Sequence, residues 1–387
     1  VAQVKVSSRG AKRIRNGHLW VYRSDVSTVE DAVGGDIVRV TDPAGNFVGR
    51  AFYSSESEIT LRFLSVRDEE IDRAWWRARL RDCAGRRAAI APATNAYRLV
   101  YSEGDLLPSL IIDRYDELFV MQTLSQGSER LKPMFSEFLV EEFNPLAVIE
   151  RNDARVRQFE GLELQSGVLH GAAPAEIEII QDGIHFLISP LGGQKTGAFL
   201  DQRENHLAAR RVAHGRALDC FTFNGGFALH IASGCDHVVA IDISDEAIAA
   251  AKRNAELNDI RNIEFRAANV FDALRDLEAA AERFDTIVLD PPAFAKNRAS
   301  VKAATRGYKE INLRALKLLK PGGVLISCTC SYHMSLEMFL EIIADAALDA
   351  RRRLQLVEVR GQSSDHPVLL GVPETHYLKC VIARVLE

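Results

Sequence analysis

The sequence predicts an α/β chain of three domains: a small N-terminal β-barrel, a central α+β module and a C-terminal doubly wound parallel sheet. Three observations predict it. The chain has 387 residues, more than one typical domain. Short strand runs separated by turn signals fill residues 1–70. From about Gln194, apolar runs of strand length alternate with helical stretches, the pattern of a parallel sheet with crossover helices. The expected domains are residues 1–70, 71–190 and 191–387.

In the first domain Gly34-Gly35 precedes the run Asp36–Thr41, and Asp42-Pro43-Ala44-Gly45-Asn46 makes a turn before Phe47–Tyr53 and Glu58–Phe63. Asp72 to Ala91 reads as a helix stopped by Pro92, with Trp75, Trp76, Leu80 and Cys83 on its apolar face. In the second domain Leu110–Ile112 and Leu118–Gln122 flank the turn Asp113–Glu117. Glu129–Glu142 has helical periodicity and ends at Asn144-Pro145. Further strands are expected at Ala147–Glu150, Glu176–Ile180 and Ile184–Ile188. In the third domain the strands are Ala217–Phe221, Val238–Ile241, Ile263–Ala267, Thr286–Leu289 and Val324–Ser327. The helices between them are Gly226–Ala232, Asp245–Leu257, Phe271–Glu282 and Tyr308–Leu319. After a last helix at Leu336–Ala350, Gln355–Val359 and Tyr377–Val385 are expected as an antiparallel hairpin at the sheet edge.

Composition is that of an ordinary globular chain, with 47% hydrophobic and 26% charged residues. No run of apolar residues is long enough to cross a membrane, and the N-terminus is basic rather than apolar. The six cysteines are scattered, without the pairs of a zinc site or a disulfide framework; no metal is expected and a cytoplasmic setting is. The net charge of −5 argues against a uniformly basic nucleic-acid binder. Two local runs are basic: Lys5, Arg9, Lys12, Arg13, Arg15 and Arg23, and then Arg73, Arg77, Arg79, Arg81, Arg86 and Arg87. Either a phosphate-backbone footprint or a solvated face produces such runs.

Strand carboxyl ends are where open α/β sheets build their sites. The tract Leu218-Asp219-Cys220-Phe221-Thr222-Phe223-Asn224-Gly225-Gly226 is a strand running into a glycine turn and a helix. It lacks the Gly-x-Gly-x-x-Gly that a pyrophosphate demands. Asp219 on the first strand and Asp242 at the end of the second suit the ammonium and ribose groups of an adenosyl ligand without phosphates, such as S-adenosylmethionine.

Two further strands end in Asp290-Pro291-Pro292-Ala293-Phe294 and in Cys328-Thr329-Cys330-Ser331. The prolines fix two φ angles and hold Asp290 and Phe294 in a set relation. A flipped base stacked on Phe294 and hydrogen-bonded by Asp290 is one reading; a strand-ending turn with Phe294 in the core is the other. Cys220 and Cys328 fall in or beside apolar strand runs and read as core, whereas Cys330 at the strand end reads as a nucleophile.

The chain resembles the class I methyltransferases of the ribosomal RNA large-subunit methyltransferase I type, which are cytosine-C5 RNA methyltransferases with an N-terminal PUA domain. The likeness runs nearly end to end. It includes Gly17-His18-Leu19-Trp20, Gly35–Val40, Tyr97-Arg98-Leu99-Val100, Glu103 with Leu107-Pro108, and the most specific tract, Gln194–Asn205. Asp290–Phe294, Gly307-Tyr308-Lys309 with Asn312, Asp365-His366-Pro367 and Glu374–Lys379 complete it. The resemblance implies a PUA β-barrel, a central α+β domain, a Rossmann-like methyltransferase domain, S-adenosylmethionine as donor and 23S rRNA, free or in early assembly particles, as substrate. It implies Cys330 as nucleophile, with Asp290 and Phe294 beside it. It puts Asp219, Phe221, Asn224, Gly225, Asp242, Asn269 and Asp290 at the cofactor, and Lys195, Thr196 and Gln202 on a tract closing over the donor. Members of the family are often dimers, so a homodimer is an expectation of the resemblance. Asn269 stands where such enzymes often have Asp, Ser109 replaces a usual glycine, and the Asp290 tract has no second cysteine, as this subfamily tends to lack it. The rival readings are a methyltransferase acting on a base nitrogen without a thiol, a non-catalytic RNA-binding assembly factor, and more distantly a nicotinamide-dependent dehydrogenase.

Overall fold

A computed structural model describes residues 2–192, 198–295 and 297–386. The chain forms two compact units: Val1–Ile180 with Ile188–Leu200 and Asp365–Thr375, and Gln181–Leu187 with Asp201–Ser364 and His376–Glu387.

The first unit carries two sheets. Gln3–Val6 (β1), Trp20–Tyr22 (β2), Val26–Glu30 (β3), Ile37–Thr41 (β4), Phe47–Tyr53 (β5) and Ile59–Ser65 (β6) pair in the order β2-β6-β5-β4-β1-β3. Only β1 and β4 run parallel. Alternate residues such as Val4, Val6, Val38 and Val40 point into one core, which is why each strand reads with period two. The N-terminal basic run, expected among strands, is instead helix Ser8–Arg15 (α1). Ser7 caps it by accepting from the Gly10 amide, and Ala11 and Ile14 are buried. The helix was hidden because eight residues supply only two turns of periodicity.

Helix Arg73–Arg87 (α2) starts where expected: the Asp72 side chain accepts from the Trp75 amide at 2.8 Å. Trp76 is fully buried, stacked on Phe52 at 5.7 Å and edge-on to Phe135 at 5.2 Å. The second sheet comprises Ala96–Tyr101 (β7), Leu110–Tyr115 (β8), Leu118–Thr123 (β9), Ala147–Asn152 (β10) and Gln165–Gly171 (β11), in the order β11-β10-β9-β8-β7. β7 and β11 were not among the expected strands; β11 is an exposed edge with no apolar alternation to announce it. The single helix expected over 129–142 is two, Gln126–Arg130 (α3) and Lys132–Phe143 (α4), because Pro133 starts a new helix and removes an interior donor. Ser109 adopts φ +63°, so the residue standing for a glycine occupies a left-handed position.

The basic run on α2 is consumed internally. Arg73 and Arg77 pair with Glu141, Arg77 and Arg81 with Glu142, and Arg73 also with Glu137. Arg79 lies over the Trp75 ring, and Arg86 and the buried Arg87 both meet Asp105. These pairs form a charge ladder between α2 and α4, which favours the solvated-face reading of the run over the phosphate footprint. The α1 run is partly spent the same way, Arg9 on Asp25 and Arg15 on Asp42.

Ile177–Gln181 (β12) and Ile184–Ile188 (β13) form a two-stranded sheet. The second unit is the expected α/β sheet. Its strands are Gly215–Cys220 (β14), Cys235–Asp242 (β15), Ile263–Ala267 (β16), Phe284–Leu289 (β17), Leu319–Thr329 (β18), Leu354–Arg360 (β19) and Lys379–Val385 (β20). Their order is β16-β15-β14-β17-β18-β20-β19. Pairs among β14–β18 are parallel, and β20 runs antiparallel between β18 and β19, as the sequence led one to expect. Helices Arg203–Val212 (α5), Gly226–Ala232 (α6), Asp245–Leu257 (α7), Val270–Ala279 (α8), Val301–Leu318 (α9) and Leu336–Asp349 (α10) accompany them. Successive strand residues feed opposite faces: Leu218, Ile287 and Leu325 enter one core with Tyr308 and Phe339, while Ala217, Val288 and Ile326 enter the other with Ala228. Burial on both faces is why these strands read as continuous apolar runs. No helix among the described residues is long and apolar enough to cross a membrane.

Candidate active site

The topology reverses direction between β14 and β17, whose carboxyl ends lie side by side. Cys220 pairs with Leu289 across β14 and β17, and Leu289 pairs with Ser327 across β17 and β18. Asp290 is thus the first residue beyond β17 and Cys330 the first beyond β18. Cys330 Sγ lies 4.0 Å from the Pro291 carbonyl oxygen. Five of the six cysteines are buried and Cys330 alone is half-buried. Cys220 and Cys328 are core residues, the latter in register with Cys380.

A hydroxyl frame holds the turn that carries Cys330. Thr329 Oγ1 donates to the Tyr308 oxygen at 2.7 Å, and the Tyr308 and Ser331 hydroxyls share a bond of 3.0 Å. Ser331 Oγ accepts from the Ala295 amide at 3.1 Å, and the Ser331 amide donates to Thr329 Oγ1 at 3.2 Å. The frame ties the turn after β18 to the tract after β17. Burial raises the Tyr308 phenol, which stays a neutral donor and acceptor.

Asp290 Oδ1 accepts from Gln202 Nε2 at 2.8 Å, and Gln202 Oε1 accepts from Asn205 Nδ2 at 2.7 Å. The chain of bonds fixes which end of the Gln202 amide faces the acid. Phe294 is half-buried with its ring centroid 4.7 Å from Tyr308, 6.1 Å from Phe271 and 6.5 Å from Phe221. The structure brings Phe221 and Phe294 into one aromatic wall that continues the core.

The loop after β14 is strained. Phe221 and Phe223 have φ of +65° and +50°, and Gly225 has +92°. Left-handed non-glycine residues cost on the order of 1 kcal/mol each and cluster at functional loops. Asp242 keeps the loop in this shape, its carboxylate accepting from the Phe223 and Ser244 amides at 3.0 Å each. The Asn224 carbonyl accepts from Asn254 Nδ2 at 3.0 Å. Asn269 is exposed and caps α8, Oδ1 accepting from the Phe271 amide at 2.9 Å, so its NH2 group faces outward. Lys195 and Thr196 lie outside the described residues.

Asp219 carries the clearest chemical signal. It is 1% exposed, and Oδ2 accepts from Thr222 Oγ1 at 2.6 Å and the Ala228 amide at 2.9 Å. Oδ1 is buried without a hydrogen-bond partner. Burial, and then the neighbouring Asp290 and Asp242 charges, push its carboxyl up to about 7. Three carboxylates converging on a strained strand-end loop are unfavourable until a cation arrives. S-adenosylmethionine presents both a sulfonium and an ammonium, so the residues present fit it: the orphaned oxygen for a donor group, the outward Asn269 amide and the aromatic wall for a heteroaromatic ring.

Sequence reasoning did not place Thr222, Asn205 and Lys379 at the site, nor Tyr308 and Ser331 in a frame. The hydroxyls flanking Cys330 were a readable signal. Tyr308 was masked because Ala304, Tyr308, Ile311 and Ala315 together form the apolar stripe of α9.

Comparison with known proteins bears on the same residues. A family model for a PUA-like domain matches residues 4–66, and one for S-adenosylmethionine-dependent methyltransferases matches residues 162–369. Ribosomal RNA large subunit methyltransferase I of Klebsiella pneumoniae (strain 342) is 40% identical over 384 residues, covering 97% of this chain and 96% of the relative. The protein of the same name from Yersinia pestis bv. Antiqua (strain Angola) is 39% identical over 384 residues, covering 97% of each. Among solved structures, a methyltransferase crystallised with SAH superposes with a TM-score of 0.86 at 20% identity, covering 100% of both chains. An S-adenosylmethionine-dependent methyltransferase from Streptococcus mutans gives 0.84 at 20% identity with the same coverage. At that identity the structures speak for the fold alone.

Proposed function

The chain belongs to the ribosomal RNA large subunit methyltransferase I family, S-adenosylmethionine-dependent enzymes with a PUA-like domain, and from that premise we propose that it forms 5-methylcytosine in 23S rRNA through a covalent bond between Cys330 and C6 of the target base. One observation carries the reading: Cys330, alone among six cysteines in escaping full burial, stands at the strand end beside the Asp290 tract. Cytosine C5 is a poor nucleophile, and a thiol is the group that makes it one.

Cys330 as thiolate adds to C6, and the C5–C6 π electrons move toward C5 and N3. Asp290, oriented by Gln202 and protonated when the base is bound, donates its proton in a hydrogen bond to N3 and so stabilises the charge gathering there. When bound, S-adenosylmethionine supplies the methyl group that C5 takes up. Removal of the C5 proton by a base then expels the sulfur and restores the ring and the thiolate. Asp219, Asp242, Asn224, Gly225 and Asn269 hold the donor; Phe221 and Phe294 wall its ring, a role that suits Phe294 better than stacking on the target base. Lys5 and Lys12, which meet no carboxylate among the described residues, and Arg13 over Tyr22 supply phosphate contacts that position RNA without reading it. Free rRNA or early assembly particles are the substrate, because extracting a base costs a few kcal/mol of unstacking and least where it is already unpaired.

Cys330→Ala abolishes methyl transfer while S-adenosylhomocysteine binding stays within twofold, and wild type is trapped covalently on 5-fluorocytosine RNA. Methylation at C5 surviving in that variant overturns the covalent step; a methyl on a base nitrogen overturns the C5 assignment.

A further inference from the structure

Lys379 opens β20 directly opposite Thr329, the residue before Cys330. It is 4% exposed, and its ammonium donates to the backbone carbonyls of Ser331 at 3.4 Å and Tyr377 at 3.2 Å. No carboxylate among the described residues pairs with it. A lysine this deep is ordinarily paired with an acid, because desolvating an unmatched ammonium is expensive. The cavity of about 600 Å³ that it shares with Tyr332, His333 and His376 has no acid in its lining. The group within electrostatic reach that can take a negative charge on that side is the Cys330 sulfur.

We propose that Lys379 is a positioning residue that holds Cys330 as the thiolate: its buried ammonium is matched by the sulfur anion rather than by a carboxylate. The assignment rests on the thiol reading of the reaction given above and adds to it the source of the nucleophile's ionisation. The other groups facing this pair are Tyr308 of α9, neutral and raised by burial; His376, lowered by burial and then by the Lys379 charge; His333 in the shared cavity; and Asp290 beyond β17, engaged by Gln202. Burial lowers Lys379 itself while Cys330 raises it, the behaviour of an ammonium whose counter-ion is the sulfur. Tyr308 does not act as that counter-ion, since burial raises its phenol and keeps it neutral.

Cys330 alkylation by iodoacetamide, followed against pH by peptide mass spectrometry, tests this, because the other five cysteines are buried. The wild-type midpoint is expected below about 8.5, the ordinary thiol value. Lys379→Met raises it by roughly one pH unit, slowing alkylation about tenfold at pH 7, and Lys379→Arg, which keeps the charge, restores most of the rate. S-adenosylhomocysteine binding by calorimetry stays within a few-fold in both variants if the fold is intact. A wild-type midpoint at or above about 8.5 overturns the proposal without any variant. So does a Lys379→Met midpoint matching wild type. Cys330→Ala discriminates the two levels: if it still methylates C5, the thiol mechanism falls whatever Lys379 does, whereas loss of methylation with an unmoved Lys379→Met midpoint removes only the lysine.

Discussion

Asp219→Asn separates what the fold wants from what the ligand wants. The buried carboxyl rises from 3.8 to about 7. A raised carboxylate value means the native state prefers the proton. The stability gained by keeping Asp219 neutral is complete below about pH 4 and is lost as pH climbs through 7. A rise of about three pH units at 1.36 kcal/mol each is about 4 kcal/mol, an upper figure for so crowded a site. The substitute's amide oxygen can keep the bonds from Thr222 and Ala228 while placing a neutral group where Oδ1 is orphaned. The ligand-free variant is therefore expected to unfold at higher denaturant than wild type at pH 8, with the gap closing toward pH 4. Donor binding moves the opposite way. A cation beside Oδ1 favours the ionised form, so wild type releases close to one proton on binding below pH 7. Its Kd tightens about fivefold between pH 6 and 7 and about twofold more above, then levels. The variant shows no such slope and binds roughly 10- to 100-fold more weakly at pH 8, the worth of one charge-assisted bond. Calorimetry with S-adenosylhomocysteine in two buffers of different ionisation enthalpy counts the protons directly. Equal proton release from wild type and variant would refute the assignment of Asp219 to the ligand's cationic group.

Asp105→Ala leaves Arg87 buried without its partner, since the pair is 2% and 0% exposed, and costs about 3–5 kcal/mol in chemical denaturation; a loss under about 1 kcal/mol would mean the arginine finds water or another acceptor. Replacing Arg73, Arg77 and Arg81 together by Ala leaves the salt dependence of RNA binding unchanged, because their charges are already met by Glu137, Glu141 and Glu142. Lys12→Ala lowers that slope by roughly 0.7–0.9, one phosphate contact, in filter binding across a salt series, and the opposite ranking would restore the α2 footprint.

The second unit was legible almost strand for strand because burial on both faces makes a parallel sheet spell itself as apolar runs, and because each run ends at a turn rich in Gly, Pro or Asp. The first unit was less so. β11 is an exposed edge, α1 is two turns long, and Leu131-Lys132-Pro133 breaks a helix whose apolar periodicity continues across the break. The α2 arginines show a different limit. Their partners lie more than sixty residues away on α4, and a charge run carries no trace of its counter-charges when those come from another element. At the site, Asp219, Asp242, Asp290 and Cys330 were readable from strand ends, whereas Gln202–Asp290 and Thr329–Tyr308–Ser331 needed contacts spanning 88, 21 and 23 residues.

The charges at these strand ends are sorted by position. Asp219, Asp242 and Asp290 stand at the carboxyl ends of the neighbouring strands β14, β15 and β17, and the cavity lined by Lys379 and His376 has no acid in its lining. A methyl transfer to an activated base needs that order. The donor's sulfonium and ammonium are held best in negative surroundings, whereas an unpaired carboxylate beside the sulfur nucleophile keeps the thiol protonated; Asp290, whose tract flanks Cys330, is engaged by Gln202. Were the acids spread evenly, donor affinity and thiolate population would trade against each other. The crossover between β14 and β17 puts the acid-bearing ends in one group, and the antiparallel β20 brings a buried lysine up from the other direction to the end of β18. Carrying an aspartate into the cavity, as in Ser335→Asp, tests the sorting. It leaves the donor loop untouched, so S-adenosylhomocysteine affinity holds within twofold while Cys330 alkylation at pH 7 slows several-fold. An equal loss of both would show that the two charge fields are not separate.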